Sequence, residues 1–150
     1  MKTAQGIQPA IEQAEKALEQ ASAKLAGIQQ SLTQEKQKMA MLHQYHAEYR
    51  RNFQAQAQLG LSASSVQHFH QLINQLDCGM LQQQHLINKK EQQKQQYHQE
   101  WQKKYQRVQA LKQLGAKYQR QAELQLVRAE QKENDEFATR QYLSVRFDPV

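Results

Sequence analysis

Histidine is the residue type in this sequence with the most obvious chemistry, because imidazole binds metals and transfers protons. Of the six histidines, His43 and His46 are three positions apart, which puts them on one helical face, and His68 and His70 are two apart. A metal site usually needs three or four ligands, and no Asp or Cys stands at a matching local spacing. We therefore interpret the histidines as polar surface or interface residues and expect no metal and no cofactor.

The sequence contains none of the common catalytic motifs: no P-loop, no glycine-rich phosphate cradle and no nucleophile elbow. Cys78 is the one cysteine, so no intramolecular disulfide can form, which fits a reducing compartment. No apolar run approaches the roughly 20 residues of a membrane span. The N-terminus lacks the apolar core of a signal peptide. These features predict a protein that is not an enzyme and that is soluble and cytoplasmic.

Positive charge is concentrated between Lys89 and Arg120, where nine Lys or Arg residues accompany two Glu residues. Such a run could follow the phosphates of a nucleic acid. It is interleaved with glutamine and aromatic residues, however, and no groove-reading motif accompanies it. A solvated helix face, or a surface that attracts an acidic partner protein, explains the run equally well.

The composition favours long helices over a compact globule. The chain of 150 residues has a net charge of +6 and a mean hydropathy of −0.97, and it contains 32 glutamines but only five glycines and two prolines. Gln, Lys, Glu, Ala and Leu are all good helix formers. Apolar residues are too few for a three-dimensional core but suffice for one stripe, which predicts an all-α fold in a single domain.

The first half of the chain carries a heptad repeat. Two series of residues, each with a step of seven and offset by three, form the a and d positions of a left-handed coiled coil. The first series is Ile11, Leu18, Leu25, Leu32, Met39, His46 and Phe53, and the second is Ala14, Ala21, Ile28, Glu35, Leu42 and Tyr49. We expect one helix over residues 4–58, with Pro9 tolerated in its first turns.

A short turn separates this helix from a second one. Gly60 fits a helix C-terminal cap, and Ser64 with Gln67 fits a capping box that opens the next helix. The second stripe is interrupted by Lys90 and Lys94 and is widened by Leu72, Leu86 and Leu114. Its main members are Val66, Phe69, Ile73, Leu76, Met80, Ile87, Tyr97, Trp101, Val108, Leu111 and Tyr118, with Ala122 and Ala129 beyond.

These boundaries predict an antiparallel two-helix coiled-coil hairpin whose second helix is the longer one. We place the turn at about 59–64, the second helix at about 65–140 and a loose tail at 141–150. Paired positions should then add to about 122, because the chain folds back at the turn. The start of the first helix, near residue 4, then lies beside residue 118 of the second helix. Residues 120–140 of the second helix should therefore extend without a partner helix. A lone helix of this kind is marginal in water unless something binds it.

Three of the eleven aromatic residues fall within nine positions, at Tyr45, Tyr49 and Phe53. Leu42 and Tyr49 occupy d positions, whereas Tyr45 lies on the flank of the stripe. The pairing places residues 42–49 beside residues 73–80, so Tyr45 and Leu72 should form a partly exposed apolar cluster near the turn. An apolar patch with a polar rim is typical of a docking site. Each residue taken alone could equally well widen the apolar contact between the two helices.

Four short motifs follow one another in an order that resembles the flagellar export protein FliJ family. They are Y-x-x-E-Y-R at 45–50, the apolar run Leu72, Ile73 and Leu76, W-x-x-K-x-x-R at 101–107, and DEFATR at 135–140. The resemblance implies a soluble component of the flagellar type III export apparatus that works in protein export and motility. It further implies a coiled coil like the shaft of a rotary ATPase, which binds the export ATPase ring and promotes its assembly and activity.

The resemblance also implies contact with the cytoplasmic domain of the export gate, a role in recycling export chaperones and a peripheral position at the inner face of the cell membrane. The implied gate contacts are Leu42, Tyr45, Tyr49, Leu72 and Leu76. Lys38, Gly79 and Gln83 depart from the residues expected at those positions. The implied contacts with the ATPase ring lie at the terminal end and comprise Ile11, Leu18, Ala122, Leu126 and Phe137.

Two other functions remain open from the sequence. An analogous stalk of a virulence type III secretion system would work by the same mechanism in a different machine. A basic coiled coil that binds nucleic acid would instead use the run from Lys89 to Arg120.

Overall fold

The computed structural model describes residues 4–146, and these residues form two α-helices joined by a short turn. Helix α1 comprises Ala4–Gln58 (55 residues) and helix α2 comprises Ala63–Arg146 (84 residues). The helices pack against each other as a helical hairpin, and no strand is present among these residues. The predicted fold class, with the longer second helix, is confirmed.

The turn forms as expected at its first end and differs at its second. Gly60 has a positive φ of 92° and so takes the left-handed conformation that ends a helix without a Cβ penalty. The cap of α2 is Ser62 and not the predicted Ser64, because the Ser65 backbone N–H donates to Ser62 Oγ at 3.3 Å. The Val66 N–H donates to the Ser62 carbonyl at 3.2 Å. Helix α2 therefore begins two residues earlier than predicted.

The end of α2 corrects a second expectation. The residues 141–146, predicted to be a loose tail, continue the helix to Arg146. Their composition permits this, because the first helix-breaking residue after Gly115 is Pro149. The remaining residues of the predicted tail, 147–150, lie outside the described part of the chain.

The chain divides into two compact units, each containing a piece of both helices. Unit 2 comprises Glu19–Lys103 and includes the turn, and unit 1 comprises Met1–Leu18 with Lys104–Val150. In unit 2 the helices run antiparallel: Phe53 stacks on Phe69 beside the turn, and far from it Trp101 Nε1 donates to Ser22 Oγ at 2.9 Å. Both pairs match the predicted pairing to within a residue or so. The a and d residues Ala21, Ile28 and Leu32 are buried against α2, where Ile87 is buried in turn.

In unit 1 the same packing pattern joins the start of α1 to the middle of α2. Ile11, Ala14 and Val108 are buried, and Lys112 Nζ lies 3.1 Å from Glu15 Oε1 on the surface. The side chains of α1 also reach Gly115, where an added Cβ would lie 3.4 Å from Ile11 Cδ1. From residue 119 to residue 146 every residue is exposed. We call these residues, 119–146, the α2 extension.

Candidate partner-binding surfaces

The histidine pair that suggested a metal has a different use in the structure. His46 occupies a heptad position, and its Nε2 lies 3.0 Å from Asp77 Oδ1 on the opposite helix. His43, three residues earlier, is exposed. Within residues 4–146, no three His, Cys, Asp or Glu side chains come close enough to hold a metal ion. His46 thus contributes to the pairing of α1 with α2 in unit 2.

The residues implied in gate contact form what we call the docking patch, comprising Leu42, Tyr45, Tyr49, Leu72 and Leu76. All five lie in unit 2, on the half of the hairpin nearest the turn. Tyr45 is 49% exposed and Tyr49 is 43% exposed, whereas the three leucines are half-buried. The partial burial of the leucines fixes their positions, and the exposed tyrosine rings provide contact area. Such a mixture of anchored aliphatic and exposed aromatic side chains suits a protein interface.

A cleft of about 560 Å³ adjoins the docking patch and brings together residues from both helices and the turn. Tyr49 and Leu72 of the patch line it, which agrees with the expectation that residues 42–49 lie near Leu72. Phe53 and Phe69 also line it, and their stacked rings have centroids 3.8 Å apart. The sequence placed these two phenylalanines in the heptad stripe and did not predict the cleft. Their positions on either side of Gly60, seven and nine residues away, are the signal that could have indicated it.

Two positions that depart from the expected gate contacts have an internal role. Gln83 Nε2 donates to Glu35 Oε2 at 2.6 Å, and Lys38 Nζ lies 3.5 Å from Glu35 Oε1. The Gln83 amide is therefore engaged with α1. Gly79 has no atom within 4 Å of an added Cβ, so space is available at that position.

The residues implied in contact with the ATPase ring fall into two groups, both in unit 1. Ile11 is only 8% exposed and Leu18 is half-buried, so their side chains serve the packing of α1 on α2. Ala122, Leu126 and Phe137 lie on the α2 extension, where Leu126 is 65% exposed and Phe137 is 62% exposed. Five further large apolar side chains are exposed on the extension: Leu124, Val127, Tyr142, Leu143 and Val145.

The basic run contains both half-buried and exposed residues. Lys90 and Lys94 are half-buried in the stripe, and Lys90 Nζ donates to Ser31 Oγ at 2.5 Å. Lys112 is paired with Glu15. Lys90 and Lys112 therefore have partners within the protein, which weakens the nucleic-acid interpretation at these two positions.

Neither helix within residues 4–146 has the length and apolar character needed to cross a membrane.

Comparison with known proteins gives one match. No curated protein and no solved structure matches the chain. The family model described as flagellar FliJ protein matches residues 5–146, which include both helices and the turn. Because this match spans nearly the whole sequence, the chain belongs to the flagellar FliJ family.

Proposed function

We propose that this component of the flagellar export apparatus is a non-enzymatic coiled-coil stalk. It binds the export ATPase ring through the α2 extension and the cytoplasmic domain of the export gate through the docking patch. One observation carries the proposal: the α2 extension is helical to Arg146 although every one of its residues is exposed. A helix with seven exposed large apolar side chains needs a partner to cover them.

The stalk would act on the ring by binding and not by chemistry. A ligand shifts a protein between conformations only to the extent that it binds one of them better than another. The extension offers Leu126 and Phe137 as apolar contacts among alternating charges, which include Arg128, Glu133 and Arg140. Differential binding of this surface to the ring's conformations would promote ring assembly and hydrolysis.

Contact with the gate would use a second, separate surface. The docking patch lies in unit 2 and the extension lies in unit 1, so no residue serves both. The two exposed tyrosines supply rigid, amphipathic rings of the kind that dominate binding energy at interfaces. Binding to the ATPase and the gate would hold the protein at the inner face of the cell membrane. Recycling of export chaperones is a further role that the family membership supports.

The ring interaction can be tested with the double variant Leu126→Ala/Phe137→Ala. Alanine is the best helix former, so the extension should keep its helicity. We expect the stimulation of ATP hydrolysis and of hexamer formation by the export ATPase to fall at least about tenfold in potency, which corresponds to a loss of about 1.4 kcal/mol in binding. The matched control is Leu81→Ala, because Leu81 is 62% exposed on the same helix but lies in unit 2. Unchanged stimulation by the double variant would refute the stalk function.

The gate interaction can be tested with Tyr45→Ala/Tyr49→Ala, whose rings are 49% and 43% exposed. We expect the affinity for the gate's cytoplasmic domain to fall at least about tenfold. Leu81→Ala again serves as control. Leu81 lies nine residues after Leu72, which is two and a half helical turns, so its side chain is on the face of α2 opposite Leu72. Circular dichroism should show equal helicity for all three proteins. Equal gate affinity for the double tyrosine variant would remove the docking patch from the proposal.

A further inference from the structure

A part-buried polar cluster, with Glu35 at its centre, interrupts the apolar stripe in the middle of unit 2. It comprises Ser31 and Glu35 on α1 and Gln83 and Lys90 on α2. Glu35 occupies a d position and is only 7% exposed, which is unusual for a carboxylate. Apolar residues flank it along the stripe, with Leu32 buried and Met39 half-buried.

Every side-chain N or O atom that the cluster buries has a hydrogen-bond partner. Gln83 Nε2 donates to Glu35 Oε2 at 2.6 Å and to the Glu35 carbonyl at 2.9 Å. Lys90 Nζ donates to Ser31 Oγ at 2.5 Å and lies 3.5 Å from Glu35 Oε1. On the surface beside the cluster, Lys38 Nζ also lies 3.5 Å from Glu35 Oε1, and Lys36 pairs with Glu91 at 3.0 Å.

The favourable partners of Glu35 are also reflected in its acid–base behaviour. The hydrogen bond from Gln83 is the largest cause that lowers the pKa of Glu35, and Lys38 and Lys90 lower it further against the opposing effect of burial. The charged form of the carboxylate is therefore the form that this site accepts.

The cluster distinguishes one helix pairing from its nearest alternatives. A repeat of seven permits α1 to slide along α2 by one heptad with leucine and isoleucine still in contact. A slide in one direction would put the Glu35 carboxylate opposite Leu76. A slide in the other direction would put the Gln83 amide opposite Leu42. The first slide separates the buried Glu35 carboxylate from Gln83, and the second separates the part-buried Gln83 amide from its acceptor. Either loss leaves a polar group without its partner, which is costly.

The turn alone does not exclude such a slide. Helix ends can unwind into a longer loop, and the entropic cost of closing a loop grows only slowly with its length. A slide would have to break the stack of Phe53 on Phe69 near the turn. The polar cluster opposes the slide at a second point, since Glu35 and Gln83 are 48 positions apart along the chain.

We propose that Glu35 and Gln83, supported by Lys90, are positioning residues that fix the register of α1 on α2 in unit 2. The five residues of the docking patch all lie between this cluster and the turn. The cluster consequently sets which α1 residues stand beside Leu72 and Leu76. This last consequence for partner binding rests on the proposed function, whereas the register itself does not.

The register can be measured with two thiol-reactive spin labels, attached to cysteines introduced at exposed positions of unit 2 (Ala40→Cys and Gln67→Cys) in the full-length protein. The native cysteine is removed by Cys78→Ser so that it takes no label. Dilution with unlabelled protein removes distances between molecules. One heptad of sliding moves a label by about 10 Å along the helix axis, which pulsed electron resonance resolves. We expect one distance for the otherwise native chain and a second, displaced distance for Glu35→Leu/Gln83→Leu. A single unchanged distance for this apolar variant would overturn the proposal.

Two further variants separate register from stability. The reciprocal exchange Glu35→Gln/Gln83→Glu keeps a carboxylate–amide pair across the helices, so we expect one distance. A split distance for the exchange would equally count against the proposal, because the pairing would then not be what fixes the register. Lys36→Ala/Glu91→Ala removes the exposed ion pair beside the cluster and should leave one distance. Because these readouts need no partner, they stand or fall independently of gate binding.

Discussion

Two regions of helix α2 contain large apolar residues but expose them very differently. Ile87 in unit 2 is 6% exposed, whereas Leu126 in the α2 extension is 65% exposed. In unit 2 the apolar residues recur every three or four positions and so face α1. In the extension the steps of seven that continue the stripe fall on Ala122, Ala129, Glu136 and Leu143. The pairing also leaves no α1 residue opposite positions beyond about 118, so spacing and the length of α1 together decide where the two helices pack.

The largest expected difference between the two regions is in amide hydrogen exchange. Backbone amides of α2 around Ile87 should be protected at least about 100-fold more than those around Leu126, because an exposed lone helix opens locally at little cost. Exchange followed by mass spectrometry on the intact protein measures both in one sample. Equal protection would mean that the extension is stable without a partner, which would remove the physical reason for proposing one.

Truncating one leucine in each region sharpens the comparison. Leu32→Ala, at a side chain that is 3% exposed, should lower the free energy of unfolding by about 2–5 kcal/mol through lost burial and a cavity. Leu126→Ala should change it by less than about 0.5 kcal/mol, since the side chain is exposed. Urea unfolding followed by circular dichroism gives both values. A large loss for Leu126→Ala would show that the extension packs on the protein itself.

Two glycines should respond to alanine with opposite signs. Gly60→Ala should cost about 1–2 kcal/mol, because its φ of 92° strains a residue with a Cβ. Gly115→Ala should stabilise the protein by up to about 1 kcal/mol through helix propensity. The new methyl group would lie 3.4 Å from Ile11 Cδ1 and from Ile7 Cγ2, which is contact and not overlap. Thermal unfolding measures both, with Ala116→Gly as a control that should lose what Gly115→Ala gains. A loss for Gly115→Ala would show that close approach of α1 requires the glycine.

The smallest effect concerns pH. Since the pKa of Glu35 is below its ordinary 4.5 in the folded protein, its contribution to stability is fully present above that value. The contribution declines as the pH falls through the lowered pKa, because the carboxylate then takes up a proton in both states. We expect the difference in thermal midpoint between the native protein and Glu35→Gln to shrink as the pH falls below 4.5. Glu123→Gln, in the exposed extension, is the matched control. A constant difference across this range would contradict the role of the ionised carboxylate.

Much of the fold could be predicted from the sequence because a coiled coil depends on local signals. The heptad positions from Ile11 to Phe53, the glycine that ends α1 and the absence of proline between that glycine and Pro149 indicated two helices and their antiparallel pairing. The predictions that failed concern helix ends. Ser62 and Ser64 are both capping residues, and residues 141–146 lack a helical period without containing any residue that stops a helix.

The positions of the docking-patch residues could be predicted from the sequence, but their exposure could not. Tyr45, Tyr49 and Leu72 could be brought near one another by counting back from the turn. The sequence could not say that Tyr49, at a d position, remains 43% exposed. Exposure depends on how closely the two backbones approach and on the size of the facing side chain, which a periodic pattern does not contain.

The sequence by itself determined the helices, their order, the turn and the point beyond which α2 has no partner, because periodicity and chain length fix each of these. Only the tertiary structure decided which polar groups meet inside the stripe. Glu35 and Gln83 look like two separate interruptions when read along the chain, 48 positions apart. Their hydrogen bond exists only because two helices align at one register, and such long-range pairing is a property of the packed molecule.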